Sequence, residues 1–191
     1  MRRGFLAGVL AMVLLCGCSA EQPGRVEALA EKYAALSGYV AEVKIDVPRA
    51  DETLHYTLSV CGEGEETRVC VLSPEELAGV TATLQGEDLT LSYDDLVLDA
   101  GSLSPHVSAL NGVPLVLRAV AEGYACAENT EQWGEQEALR VCYETEREGE
   151  TLYCTVFFAA DDAPLYAEIA QEEKIILFLE FTNFTFGDII P

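Results

Sequence analysis

The chain has 191 residues, of which 33 are acidic and 11 are lysine or arginine, so its formal net charge is −22 at pH 7. This charge excludes nucleic-acid binding, because a phosphate-binding surface needs clustered lysines and arginines. It also opposes docking on an anionic membrane through protein charge, since like charges repel within about 10 Å. The length suits one domain with a proper hydrophobic core.

The chain begins with a segment that has the features of a bacterial export signal. Arg2 and Arg3 precede an apolar stretch at residues 5–15, which is too short to cross a bilayer. Leu15-Cys16-Gly17-Cys18 then has the form of a lipobox. In such a motif the small residue admits the peptidase, and the cysteine that follows it takes a diacylglycerol.

The predicted product is a lipoprotein on the extracytoplasmic face of the cell membrane. Residues 1–17 are the signal peptide, Cys18 is the lipidated residue in a tether at 18–24, and residues 25–191 form a single domain. Two acyl chains suffice for stable anchoring, so the lipid holds the protein at the membrane. A soluble product cut nearby and an uncleaved anchor are the alternatives, and all three place the domain outside the cytoplasm.

The first part of the domain has the periodicity of one helix followed by strands. Apolar residues recur every three or four positions over 25–36, which predicts an amphipathic helix. Alternation of apolar and polar residues then predicts strands at 39–47 and 54–60, with a third around 69–71. Each of these strands should bury one face.

A capping-box pattern follows at Ser73-Pro74-Glu75-Glu76. It predicts a short helix with Ser73 as its N-cap and Pro74 in the first helical position.

The next elements are predicted to be hairpins. Folding about residues 86–87 sets each buried side chain opposite another, in the pairs Leu84 with Leu89 and Ala82 with Leu91. A tight turn at residues 94–95 continues the meander, so the same buried face should extend through Leu96 and Leu98.

The second part of the domain opens with a predicted helical region that begins at Ser104-Pro105 and breaks at residues 111–114, because Pro114 removes a helical hydrogen bond. Residues 114–121 are more apolar than a surface helix should be. After an irregular acidic stretch, strands are predicted at 139–145, 151–158, 166–171 and 174–186. The predicted fold class is α+β, a strongly curved antiparallel sheet of about nine to eleven strands with helices across its concave face.

Five cysteines fall within the domain: Cys61, Cys70, Cys126, Cys142 and Cys154. An exported domain can form disulfides. If residues 147–149 form a three-residue hairpin loop, Cys142 lies directly opposite Cys154, close enough to bridge. Cys61 and Cys70 share the polar face of an earlier hairpin and are the second candidate pair, which leaves Cys126 as the odd thiol.

The chain lacks the motifs of the common catalytic and metal sites. It has no Cys-x-x-Cys pair, and its two histidines, His55 and His106, lie far from any cysteine pair in sequence. It has no nucleophile elbow, phosphate loop or dinucleotide fingerprint. We therefore predict a protein that is not an enzyme and uses no cofactor or metal, with His55 exposed.

The order of these pieces resembles that of a known family. The lipobox and leading helix come first, followed by Ser37-Gly38-Tyr39-Val40-Ala41-Glu42-Val43, by residues 71–79 and by a mid-chain helical pair. The chain then ends with Pro164-Leu165-Tyr166-Ala167-Glu168-Ile169 and Phe181-Thr182-Asn183-Phe184-Thr185-Phe186. Together they resemble the LolA-like lipoprotein superfamily, and within it the Gram-positive branch that includes the germination lipoprotein GerS.

This resemblance implies an unclosed antiparallel barrel with helices that form a lid over a hydrophobic cavity. Members of the superfamily carry acyl chains or lipids, sense misfolded envelope proteins, or act as membrane-anchored partners in spore germination. The resemblance therefore implies a germination or envelope accessory role, and it brings no catalytic residue to this chain.

Two hypotheses of function follow. In the first, a lipid or acyl chain occupies a cavity under a lid whose ligand-binding residues are Leu110, Val113, Leu115, Val116, Leu117 and Val120. In the second, the barrel is filled by its own side chains, these lid residues are ordinary core, and the protein is a scaffold that binds a partner protein at the membrane surface. A large cavity lined by aliphatic residues favours the first, and a filled barrel with an exposed apolar edge favours the second.

Overall fold

The computed structural model describes residues 24–86, 88–102, 107–147 and 149–187. The predicted signal peptide, Cys18 and most of the tether lie outside these residues.

The described residues form one eleven-stranded antiparallel sheet, which curves without closing and carries two α-helices. Its spatial order is β6-β5-β4-β3-β2-β1-β11-β10-β9-β8-β7. The strands are β1 Gly38–Pro48, β2 Thr53–Glu63, β3 Glu66–Ser73, β4 Thr81–Gln85, β5 Asp88–Tyr93, β6 Leu96–Ser102, β7 Tyr124–Trp133, β8 Gln136–Arg147, β9 Glu150–Phe158, β10 Pro164–Gln171 and β11 Lys174–Phe186. Two meanders, β1 to β6 and β7 to β11, therefore join where the first strand pairs with the last. The predicted fold class is confirmed.

The first helix, α1, spans Arg25–Ala34 and buries Val26, Leu29 and Tyr33, as its periodicity predicts. Polar contacts hold it against the loop between β9 and β10. The Arg25 guanidinium donates to the Ala159 carbonyl at 2.8 Å, and the Tyr33 hydroxyl donates to the Asp162 carbonyl at 2.8 Å. The apolar stripe and these contacts together fix the helix on the sheet.

The second helix, α2, spans Gly112–Glu122 and connects the two meanders across the concave face. Its N-terminus approaches β11 closely, because a Cβ atom at Gly112 would lie 3.1 Å from Leu177 Cδ1. Both helices contribute side chains to one hydrophobic cluster with the inward faces of the central strands.

The predicted break at residues 111–114 is wrong, because α2 begins there. Pro114 falls in its first turn, where backbone N–H groups have no intrahelical acceptor, so the missing donor costs little. Of the helical region predicted from residue 104, residues 103–106 lie outside the described chain, and residues 107–111 form a loop and a turn.

Two other expectations need correction. The helix after Ser73 is a single 3₁₀ turn at Glu75–Leu77 with Pro74 as its N-cap, and no side chain caps it. The acidic stretch expected to be irregular contains β7, an edge strand with mostly exposed side chains. Its backbone pairs with β8 although its sequence has no apolar face for a periodicity argument to detect.

The hairpin between β4 and β5 has the predicted register, with Leu84 opposite Leu89 and Ala82 opposite Leu91. The next strand continues the same face, with Leu98 opposite Leu91. His55 is exposed, as predicted.

The predicted register of the hairpin that contains Cys142 and Cys154 is wrong by one residue. Two residues rather than three separate β8 from β9, so Arg147 pairs with Glu150 and Cys142 pairs with Thr155. Directly paired residues share a face of the sheet, whereas consecutive residues of one strand lie on opposite faces. Because Cys142 pairs with Thr155, Cys142 and Cys154 lie on opposite faces.

The second candidate pair, Cys61 and Cys70, does share a face. The two residues are nevertheless offset by two positions, because Cys61 pairs with Arg68 and Cys70 pairs with Ser59. Diagonal neighbours of this kind lie about 7–8 Å apart, farther than a disulfide normally spans. All five cysteines of the described chain are free thiols in the structure.

Candidate functional site

A cavity of about 310 Å³ lies at one end of the concave face, between β1, β2, β3, β5 and the segment that precedes α2. We call it the Leu91 cavity. Its lining is mainly aliphatic and includes one tyrosine and one arginine. The lining residues are Val47, Arg49, Tyr56, Leu58, Val71, Leu77, Val80, Leu91, Val107, Ser108, Ala109 and Leu110.

The segment 107–110 forms one wall of the Leu91 cavity, and Asn111 fixes its end. The side chain of Asn111 is almost fully buried, and its Oδ1 accepts a hydrogen bond from the Ser108 backbone N–H at 2.8 Å. Its carbonyl accepts the first helical bond of α2, from Leu115 N–H at 3.0 Å. One buried asparagine therefore joins the wall of the cavity to the helix.

The apolar surface of the Leu91 cavity continues along the inner face of the sheet edge. Leu91 pairs with Leu98, and Tyr93 pairs with Leu96. Leu98 is 54% exposed and Leu96 is 59% exposed. Their register is the predicted one, but the expected burial is wrong, because the described helices do not extend over this edge.

The six predicted lid residues are not one lining surface. Leu110 lines the Leu91 cavity, and Leu115 is half-buried. The remaining four are core residues of α2: Val113, Val116, Leu117 and Val120. At the Leu91 cavity, the lining from this part of the chain comes from residues 107–110, before α2, and Leu110 is the one predicted lid residue among them.

Leu117 also contacts a second, smaller cavity of about 240 Å³ between α1, α2 and the start of β1, which we call the Tyr39 cavity. Burial raises the pKa of the Tyr39 hydroxyl to about 12. The rim carries Arg118 and Glu122, which pair with each other at 3.0 Å. This cavity is more polar and its two rim charges are mutually satisfied, so it is the weaker candidate for an apolar ligand.

Within the described ranges, no group of three or more histidine, cysteine, aspartate or glutamate side chains could hold a metal ion. No helix there is long and apolar enough to cross a membrane.

Sequence reasoning missed most of the Leu91 cavity. Tyr56, Leu58 and Leu91 were assigned to buried strand faces, which is correct, but periodicity does not distinguish a filled interior from one that leaves a space. Arg49 follows the last residue of a strand, so periodicity assigns it to no face of the sheet. A basic residue next to an inward apolar face in so acidic a chain was the one available indication.

Comparisons with known proteins find similarity at the level of the fold. No family model matches the sequence, and no curated protein matches it. An uncharacterized conserved protein from Thermus thermophilus matches in structure with a TM-score of 0.52 and 15% identity, over 86% of each chain. A LolA superfamily protein from Nitrosomonas europaea has a TM-score of 0.49 and 13% identity, over 87% of this chain and 96% of its own.

A further solved structure is similar at a lower level. It is the CwlD amidase of Clostridioides difficile in complex with the GerS lipoprotein, which matches with a TM-score of 0.35 and 12% identity over 89% of this chain and 96% of that chain. The unclosed eleven-stranded antiparallel sheet, the pairing of β1 with β11 and the two helices on the concave face are consistent with the LolA-like fold that the sequence resemblance implies.

Proposed function

We propose that this protein is a lipoprotein, anchored on the extracytoplasmic face of the membrane through Cys18, whose Leu91 cavity binds a lipid or an acyl chain. The observation that carries this proposal is the apolar cavity itself, whose lining residue Leu91 pairs with the exposed Leu98. Its volume of about 310 Å³ lies at the lower end of the range for ligand pockets, about 300–1,000 Å³.

The expected binding energy is sufficient for a specific ligand. Each buried methylene contributes about 0.8 kcal/mol, so six methylenes would contribute about 5 kcal/mol before the costs of association. A chain that leaves the cavity along Leu96 and Leu98 would bury further surface. The open edge therefore supports a ligand longer than the cavity alone would hold.

The position of Arg49 supports a ligand with an anionic head. Arg49 lines the Leu91 cavity, and it takes part in none of the ion pairs of the described residues. A guanidinium pairs readily with a carboxylate or phosphate. A fatty acid or phospholipid would place its tail against Leu91 and its head beside Arg49.

The test is a comparison of two filling variants. Ala109 lines the Leu91 cavity and Ala121 lines the Tyr39 cavity, so Ala109→Trp should abolish ligand retention while Ala121→Trp preserves it. Native mass spectrometry of the purified protein, before and after incubation with palmitate, measures retention. If both variants bind palmitate as the unmodified protein does, this site is contradicted. A separate variant tests the head group: Arg49→Gln should weaken the binding of palmitate more than the binding of palmityl alcohol.

The anchor has its own experiment. Cys18→Ser should give a product that remains unprocessed or becomes soluble, and that no longer incorporates radiolabelled palmitate in cells. A variant that is still labelled and still shifts to the mature size would place the lipid elsewhere, for example on Cys16.

A second candidate function is binding of a partner protein at the β6 edge. Besides Leu96 and Leu98, Val97 is 66% exposed on the opposite face of the same strand. An exposed apolar edge strand is a template for strand addition by another chain.

A photo-crosslinking residue at Val97 should then give one discrete protein adduct in membranes. The adduct should disappear in Leu98→Lys and be absent when the crosslinker stands at exposed Glu63 on the far side of the meander. No adduct, or the same adduct from both positions, would contradict this function.

A further inference from the structure

Cys126 lies at a β-bulge in the edge strand β7. Ala125 pairs with Tyr143 and Ala127 pairs with Cys142, so Cys126 is the extra residue between them. A bulge sets two residues of one strand against one residue of its partner. Cys126 and Ala127 therefore both face Cys142, although the sequence separates the two cysteines by a whole hairpin.

The Cys126 thiol lies against the backbone of Cys142. The Cys126 Sγ lies 3.2 Å from the Cys142 carbonyl oxygen. Desolvation first, and the neighbouring Cys142 side chain second, raise the pKa of the Cys126 thiol. Residues opposed across an antiparallel pair have Cα separations of about 4.5–5.5 Å, which lie within the range that a disulfide spans.

The other cysteines have no comparable neighbour among the described residues. Cys154 is fully buried in the core, where it pairs with Tyr143 on the face opposite Cys142. Cys61 and Cys70 are offset by two positions on β2 and β3. Cys126 is exposed and Cys142 is half-buried, so both can be reached from solvent on the outer face.

We propose that Cys126 and Cys142 form a disulfide that ties the edge strand β7 to β8. The oxidant is the disulfide of a thiol–disulfide exchange partner, either a small disulfide such as oxidised glutathione or an oxidoreductase. The Cys126 thiolate attacks one sulfur of the donor, and the other donor sulfur leaves as a thiolate. The Cys142 thiolate then attacks the Cys126 sulfur of the mixed disulfide and releases the second donor thiol.

The net reaction oxidises two protein thiols and reduces one donor disulfide to two thiols. Cys126 is the attacking residue because it is the more exposed of the two. The thiolate is the reactive form, so the raised pKa of Cys126 means that the uncatalysed reaction should accelerate as the pH rises from neutral towards alkaline.

The bond would stabilise a strand that has little else to hold it. β7 pairs with β8 alone among the described strands, and most of its side chains are exposed. A covalent link near its start would restrict the opening of the β7–β8 hairpin. This inference concerns the outer face and does not depend on a ligand in the Leu91 cavity.

The experiment uses the full chain, purified, fully reduced and then incubated at pH 8 with a mixture of oxidised and reduced glutathione. Remaining thiols are alkylated, and the digest is mapped without reduction. We expect a peptide that joins Cys126 to Cys142, which the matched variant Cys61→Ser retains and Cys126→Ser loses. Alkylation of both residues in the oxidised sample, or a link from Cys126 to any other cysteine, would overturn the proposal.

Hydrogen exchange provides the second readout. In the linked protein, the β7 amides should exchange at least about tenfold more slowly than in the reduced protein, with no such change in Cys126→Ser. Equal exchange in the linked and reduced proteins would overturn the inference that the bond holds β7.

Discussion

The ring of Tyr39 lies across Gly62, its direct partner on the neighbouring strand. The two residues pair in the ladder between β1 and β2, and both are buried. A Cβ atom at Gly62 would overlap the Tyr39 ring. The glycine therefore provides the space in which the aromatic side chain packs.

We expect Gly62→Ala to destabilise the protein by about 1–3 kcal/mol, the usual cost of overpacking a well-packed site. Urea denaturation measures the change. In a Tyr39→Leu background the same substitution should cost much less, because the ring is no longer there to be displaced. Equal costs in both backgrounds would contradict the packing explanation.

Tyr143 has a buried hydroxyl for which the described chain supplies no hydrogen-bond partner. Leaving such a group unpaired costs about 1–3 kcal/mol. Tyr143→Phe should therefore leave the free energy of unfolding unchanged or raise it.

The matched control is Tyr33→Phe, which removes the hydrogen bond to the Asp162 carbonyl and should cost about 0.5–1.5 kcal/mol. Thermal and urea denaturation of the two variants under one set of conditions measure the difference. A loss for Tyr143→Phe as large as that for Tyr33→Phe would mean that the Tyr143 hydroxyl has a partner after all.

Alanine substitutions at Leu110 and Leu117 should distinguish an effect on ligand binding from an effect on stability. Leu117 is buried in the core of α2, so Leu117→Ala should cost about 2–5 kcal/mol with ligand retention little changed at a temperature where the variant is folded. Leu110 is half-buried and lines the Leu91 cavity. Leu110→Ala should therefore cost less stability and reduce palmitate retention more. The reverse order would support the original assignment of the lid to the helix.

Stability should fall at alkaline pH. Burial raises the pKa of Tyr39 to about 12, from about 10 in an unfolded chain. The folded state then holds its proton where the unfolded state releases it, so this contribution is complete below pH 10 and is lost as the pH rises towards 12. Burial raises the pKa of Tyr33 and Cys154 in the same direction.

Urea denaturation between pH 8 and pH 11.5 tests this expectation, with Tyr39→Phe as the comparison. The variant should lose less stability over the same pH interval, whatever its stability at pH 8. Parallel curves for the two proteins would show that Tyr39 does not titrate with a raised pKa.

Several features were predictable because they depend on neighbouring residues in the chain. The stripe of α1 follows from a period of 3.6, and the pairing of Ala82 with Leu91 follows from a period of two and a tight turn at residues 86–87. In both cases the spacing of apolar residues along the chain allowed only one arrangement. The same reasoning failed for Cys142 and Cys154, because shortening the loop by one residue moves one of them to the other face.

The sequence by itself therefore determined the order of the elements, the fold class and which side chains of most strands point inward. Tertiary structure alone decided which inward residues are covered: Leu84 is buried, whereas Leu98 on the same face is exposed at the sheet edge. It also decided that β7 pairs with β8 at a bulge beside Cys142, and that the wall of the Leu91 cavity is the segment before α2. The physical reason is that periodicity assigns a residue to a face, whereas covering that face depends on how distant segments pack across it.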